Sequence, residues 1–259
     1  MKKILLLLFV FCSVTAFAQK VTQKMCDNKG EMYIYAGNEC IQYVLSEGDR
    51  AGSLNIIVHG TWDAGTNTLG RYEPFAESLS METDITTVAI ALPGYSNSST
   101  NRLNPLSHKT NKNLAATKEY VLFLGKLIIA LKEKFNAKKV NVIGHSAGAM
   151  MAATLTGFKP RLIQNIALAG GRYDIHAVSK AKNLVSMVDV IESISKKTNF
   201  LFIYGTEDKI SKPDVTTEFF KLVEETGLKA TLIKVEGAGH IDLDMTDEAI
   251  EAFTELIEE

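Results

Sequence analysis

Short apolar runs alternate with longer amphipathic stretches along most of this chain. The runs at 54–58, 86–92, 139–143, 164–169, 200–204 and 231–235 are short and apolar, as strands buried on both faces of a parallel sheet would be. Helices are expected at about 113–135, 147–157, 213–227 and 246–258. Ahead of them, residues 31–46 read as a hairpin: Met32-Tyr33-Ile34-Tyr35, a Gly37-Asn38 turn, then Ile41 to Leu45. This order predicts an α/β fold, with a mostly parallel central sheet, helices on both faces and an antiparallel N-terminal hairpin. Two stretches break the alternation, residues 93–113 and 170–198. Both are expected to form a rim, and neither is long enough for a large lid.

The first residues follow a different pattern. Lys2-Lys3 precede an apolar run from Ile4 to Val14, which is too short to cross a bilayer as a helix, and Ala16-Phe17-Ala18 follows. This is the layout of a signal peptide over residues 1–18, cleaved after Ala18, and it predicts an exported protein, periplasmic or secreted. Phe11 before Cys12 is too bulky for lipidation. Residues 19–259 are then within the size of a single domain. Without Lys2 and Lys3 the chain carries 26 basic and 30 acidic side chains, a net charge of −4. That mild, mixed balance offers no basic patch for nucleic acid, and no second hydrophobic span is present. Cys26 and Cys40 remain; in an oxidising compartment they are expected to pair, stabilising the fold by about 3 kcal/mol. Neither lies in a CxxC or near a histidine cluster, so no metal or redox cofactor is expected. Oligomeric state is unread, with a monomer as the default.

Candidate chemistry centres on Gly144-His145-Ser146-Ala147-Gly148, between a predicted strand and a predicted helix. A G-x-S-x-G at such a junction reads as a nucleophile elbow, in which a strained turn lifts the serine hydroxyl clear of the sheet. The hydroxyl is a weak nucleophile and needs a base. Among His59, His108, His145, His176 and His240, the last fits best, because Gly237-Ala238-Gly239-His240 follows a strand at the edge where such sheets bind ligands. His145 is expected to pack or line the pocket, His59 to orient its loop, and His108 and His176 to be solvated. A carboxylate must steady the imidazole. Asp208, at the end of Gly205-Thr206-Glu207-Asp208, is the first choice and Asp174 the second; Asp242 and Asp244 read as helix-entry or surface carboxylates. Oxyanion donors are expected from the N–H groups of Ala147 and Thr61, with Trp62 N–H as the alternative to Thr61. Trp62, Tyr95 and Tyr173 are candidate substrate contacts, and Met150 reads first as core.

With GHSAG, HGTW at 59–62, PGYS at 93–96, GTED at 205–208 and GAGH at 237–240, the chain from about residue 50 onward resembles the α/β-hydrolase fold family. The order Ser146, Asp208, His240 is the one that family uses. The resemblance implies hydrolysis of an ester, thioester or amide of a small-molecule acyl substrate through an acyl-enzyme. Acyltransferase, cofactor-free peroxidase, short-peptide peptidase and non-catalytic binding protein are the alternatives. Two departures stand out: members usually carry glycine where Ser96 stands, and many have a larger cap around 170–198.

Overall fold

The computed structural model describes residues 20–258, so the predicted signal peptide lies outside the described residues. The strands are β1 (Tyr33–Ala36), β2 (Glu39–Ser46), β3 (Ser53–Val58), β4 (Thr87–Ile90), β5 (Lys139–His145), β6 (Asn165–Ala169), β7 (Asn199–Gly205) and β8 (Lys229–Val235). They form one sheet in the order β1-β2-β4-β3-β5-β6-β7-β8. β1 and β2 pair antiparallel, β2 joins β4 antiparallel, and every later pairing is parallel. The helices are α1 (Gln23–Asp27), α2 (Thr68–Thr83), α3 (Lys118–Lys134), α4 (Ala147–Phe158), α5 (Pro213–Glu225) and α6 (Asp247–Glu258). No helix among the described residues is long and apolar enough to cross a membrane.

Alternation along the strands sends successive side chains to opposite faces, and both faces are covered. Ile56, Val58, Val142, Ile166 and Phe202 pack with α3, α4 and α5. Ile57, Ile143, Ala167 and Ile203 pack instead with Tyr72, Phe75 and Leu79 of α2 and Phe253 and Leu256 of α6. The apolar stripe of α6 (Ala249, Phe253, Leu256) follows the helical repeat, and each large residue so buried contributes roughly 1.5–3 kcal/mol.

Helix α2 was not expected from the sequence. Its buried stripe of Leu69, Tyr72, Phe75, Ala76 and Leu79 has helical spacing, but Gly70 and Pro74 interrupt the pattern. Packing on the sheet supplies what propensity lacks. The helix expected at 113–135 is also divided: Thr117 is extended, its hydroxyl accepts the Tyr120 N–H, and a 3₁₀ turn precedes α3.

At the amino ends of four parallel strands, three buried asparagines and the half-buried Asn199 form a ladder. The side-chain amide of Asn199 donates to Asn165 at 2.8 Å, Asn165 to Asn141 at 3.0 Å, and Asn141 to Asn55 at 2.9 Å. Asn55 in turn donates to Thr83 Oγ1 at 3.0 Å, tying the ladder to α2. The partners lie directly opposite in the strand register, so a slip of one residue would break every rung. Cys26 and Cys40 form a disulfide with Cα atoms 5.5 Å apart, joining α1 to the start of β2.

Candidate active site

β5 runs into the elbow at its carboxyl end. Ser146 has φ +53° and ψ −115°, a strained conformation for a residue with a side chain, and α4 starts at the next residue. The Ser146 N–H donates to Ala169 O on β6 at 2.8 Å, which anchors the turn. The flanking glycines are explained by close approach. A Cβ on Gly144 would stand 2.8 Å from the Ala149 backbone, across the corner. One on Gly148 would stand 2.2 Å from Val58 O, so that glycine serves the contact with β3 and not the corner itself.

The three residues singled out as a triad come together. His240 Nε2 lies 2.9 Å from Ser146 Oγ, and His240 Nδ1 lies 2.7 Å from Asp208 Oδ2. Asp208 is buried, and its Oδ1 accepts the N–H groups of Ile210 and Ser211, each at 2.8 Å. Those donors hold the carboxylate in one orientation, which fixes Nδ1 as the protonated nitrogen and leaves Nε2 free to accept from the hydroxyl. Asp174 is elsewhere, its Oδ1 accepting the His176 N–H, and it lines a separate groove with Asp214 and Glu218. His176 pairs with Asp189 and His108 contacts Thr110, so neither faces the serine.

The loop after β3 presses on the elbow: a Cβ on Gly60 would stand 2.8 Å from Ser146 Cβ. Its shape is set by His59. This buried ring accepts the Leu92 N–H on Nε2 at 3.0 Å and donates from Nδ1 to Gly60 O at 2.7 Å. Burial lowers its pKa to about 4, so it is neutral at pH 7. Ala147, the first residue of α4, borders the pocket from the other side.

Beside Ser146 and His240 is a pocket of about 190 Å³, lined by Asn113, Met150, Arg172, Ile175, Val178 and Ile210 among others. Its walls draw on both stretches expected to form a rim. Arg172 is the only Asp, Glu, Lys or Arg side chain on its lining, and nothing in the sequence pattern singled it out.

The expected substrate contacts fare differently. Tyr95 is fully buried; its hydroxyl donates to Trp62 O at 2.9 Å, and its ring packs edge-on to His59 with centroids 4.8 Å apart. Tyr173 is also fully buried, donating to Leu168 O at 3.1 Å and packing between Phe202 and Phe219. Both belong to the core, because each hydroxyl reaches a backbone carbonyl that satisfies it there. Trp62 is half-buried under the Arg71 guanidinium, 5.0 Å from the ring, and does not line the pocket. Met150 is both core and pocket wall. Asp244, expected as a helix-entry or surface carboxylate, is fully buried in the 3₁₀ turn ahead of α6, whereas Asp242 forms an ion pair with Arg71. Ser96 adopts φ +48°, the conformation a glycine would take, and its hydroxyl is held by Asn67 and the Leu69 N–H.

A comparison with curated proteins finds no match. Solved structures share the fold at low identity. The esterase Pf2001 of Pyrococcus furiosus is 17% identical with a TM-score of 0.67, covering 88% of this chain and 91% of its own. Est1E of Butyrivibrio proteoclasticus, solved with ferulic acid bound, is 15% identical with a TM-score of 0.62, covering 88% of this chain and 100% of its own. A meta-cleavage product hydrolase of Pseudomonas fluorescens is 14% identical with a TM-score of 0.62, covering 88% and 97%. The family model of the alpha/beta hydrolase fold matches residues 56–187. With that match spanning half of the sequence and the sheet, elbow and strand order agreeing with it, the chain belongs to the alpha/beta hydrolase fold family.

Proposed function

We propose that residues 19–259 form one domain of an exported serine hydrolase, which cleaves a carboxylic ester, thioester or amide through an acyl-enzyme. His240 accepts the Ser146 proton on Nε2 as Oγ attacks the acyl carbonyl. The Nδ1 proton stays on the imidazolium, steadied by Asp208. The N–H groups of Thr61 and Ala147 face the oxyanion, with the amino end of α4 adding its dipole. His240 then gives the proton to the leaving alcohol, thiol or amine; it next takes a proton from water as the water oxygen attacks the acyl carbon, and returns it to Ser146 Oγ as the acyl–serine bond breaks and the acid leaves. The observation that carries this reading is the unbroken Ser146–His240–Asp208 chain, 2.9 and 2.7 Å long, at the mouth of the pocket. A volume of about 190 Å³, with Met150, Ile175, Val178 and Ile210 among its walls, suits a short acyl group.

Turnover of p-nitrophenyl esters of graded acyl length tests it. Acetyl and butyryl esters should be the best substrates, and a fluorophosphonate probe should label Ser146. Ser146→Ala should reduce kcat by at least about 10³-fold while leaving the fold intact. Undiminished turnover in that variant ends the reading.

A further inference from the structure

Arg172 lines the pocket beside Ser146 and His240, and the proposed hydrolysis gives it no task. Its backbone is fixed from both sides. β6 ends at Ala169, and a Cβ on Gly170 would stand 3.2 Å from Asp208 Oδ2 and 3.3 Å from the His240 ring. The chain therefore leaves the sheet against the base and its acid. Gly171 donates its N–H to the Tyr173 hydroxyl at 3.3 Å, and its carbonyl oxygen accepts the Ser211 hydroxyl at 3.0 Å. Tyr173 in turn is locked in the core between Phe202 and Phe219. A side chain that starts between two anchored residues is placed before any ligand arrives.

Arg172 is half-buried, and among the described residues it forms no ion pair. It also borders a neighbouring groove lined by Asp174, Asp214 and Glu218, yet it pairs with none of them. Asp174 instead accepts the His176 N–H. A partly desolvated guanidinium without an anion gains when one binds. The chain on either side of the pocket wall adds positive charge. Lys112 precedes Asn113, Lys180 and Lys182 follow Val178, and Lys209 and Lys212 flank Ile210 and Ser211. All five lysines are exposed and outside the ion pairs of the described residues. Against them, the same segments carry Asp174, Glu207 and Asp208, the last of which is bound to His240. The His240 loop adds the buried Asp244 and Asp242, which pairs with Arg71. In a chain of net charge −2, these wall segments carry an excess of cations, which draws anions towards the site.

We propose that Arg172 is a specificity residue that binds a carboxylate at the far end of the acyl group, so that the substrates are short half-esters of dicarboxylic acids. The scissile carbonyl lies at Ser146, the methylene chain runs along Met150, Ile175 and Val178, and the terminal carboxylate meets the guanidinium fork. The fork matches a planar carboxylate with two parallel N–H donors. One guanidinium balances one carboxylate, whereas a phosphate dianion would leave a charge uncompensated in a small pocket. The proposal rests on the reading of Ser146, His240 and Asp208 as a catalytic triad.

Monomethyl succinate, glutarate and adipate are each compared with the methyl ester of the corresponding monoamide, which has the same shape without the charge. Methanol release measures both. In the unsubstituted protein at least one acid should exceed its amide in kcat/KM by about 10- to 100-fold. Arg172→Gln should abolish that preference, chiefly by raising KM for the acid, and Arg172→Lys should keep part of it. 3-Acetoxypropanoate, with its carboxylate on the alcohol side, should gain nothing over its own amide. Equal rates on acid and amide at every chain length overturn the proposal without any variant being made. A preference that survives Arg172→Gln, or one confined to 3-acetoxypropanoate, also overturns it. In each of these cases Ser146-dependent turnover and probe labelling leave the triad standing. Absence of both in the unsubstituted protein sinks the triad and this proposal together.

Discussion

The Leu92 N–H donates to Nε2 of His59 across 3.0 Å, joining the end of one parallel strand to the loop after another. That bond needs a neutral ring, because an imidazolium has no lone pair to accept with. Burial lowers the His59 pKa from 6.5 to about 4. The unfolded chain therefore binds more protons than the folded one between these values. The stability from this group is complete above pH 6.5 and is lost as pH falls towards 4, a change of about 3 kcal/mol. Urea unfolding at pH 7 and pH 4.5 should show a steeper loss in the unsubstituted protein than in His59→Gln. Equal losses would exclude His59 as the source.

Gly148 has no room for a methyl group. A Cβ there meets Val58 O at 2.2 Å and His59 O at 2.7 Å, both main-chain atoms that cannot rotate away. Gly148→Ala should force α4 from β3 and destabilise the protein by about 1–3 kcal/mol, with loss of esterase turnover as the elbow shifts. Thermal unfolding and a kcat measurement on the same preparation check this.

The asparagine ladder should behave cooperatively. Asn141→Ala removes two of the three rungs between asparagines and strands an oxygen on Asn55 and an amide on Asn165, both buried. The expected loss is about 2–4 kcal/mol. In a double-mutant cycle with Asn55→Ala the second substitution should cost less than alone, because its partner is already gone. Strict additivity would mean the rungs act independently.

Cys26 and Cys40 enclose a short loop that carries β1 and the end of α1. Replacing both with serine should lower unfolding free energy by about 3 kcal/mol. The ester-hydrolysing kcat should hardly change at low temperature, since the sheet end that carries Ser146 lies on other strands. A thiol reductant should reproduce the stability loss in the unsubstituted protein and leave the double serine variant unaffected.

Most of the sheet is readable along the chain because a strand buried on both faces must be a continuous apolar run, and the runs that become β3 to β7 have that form, whereas β8, at the sheet edge, is buried only at Val235. The Gly37-Asn38 turn and the hairpin follow from local backbone preference. Helix α2 is not readable in this way. Gly70 and Pro74 are poor helix residues, and the stripe from Leu69 to Leu79 becomes helical because the sheet face beneath it has apolar surface to cover.

The candidate triad shows the same division. Glycine spacing, strand ends and chain order mark Ser146, Asp208 and His240, because a tight turn leaves a local trace in residue type. Side-chain direction leaves none. Tyr95 and Tyr173 stand in loops beside the site and turn into the core, where backbone carbonyls receive their hydroxyls. Asp244, a carboxylate in a polar stretch, is carried inward by a turn that Leu243 anchors beneath the sheet ends. Local pattern therefore settles which segments extend, bend and carry reactive groups. Which face each group meets, and which charges are shut away from water, follows only when distant strands come into register and the volume between them is filled.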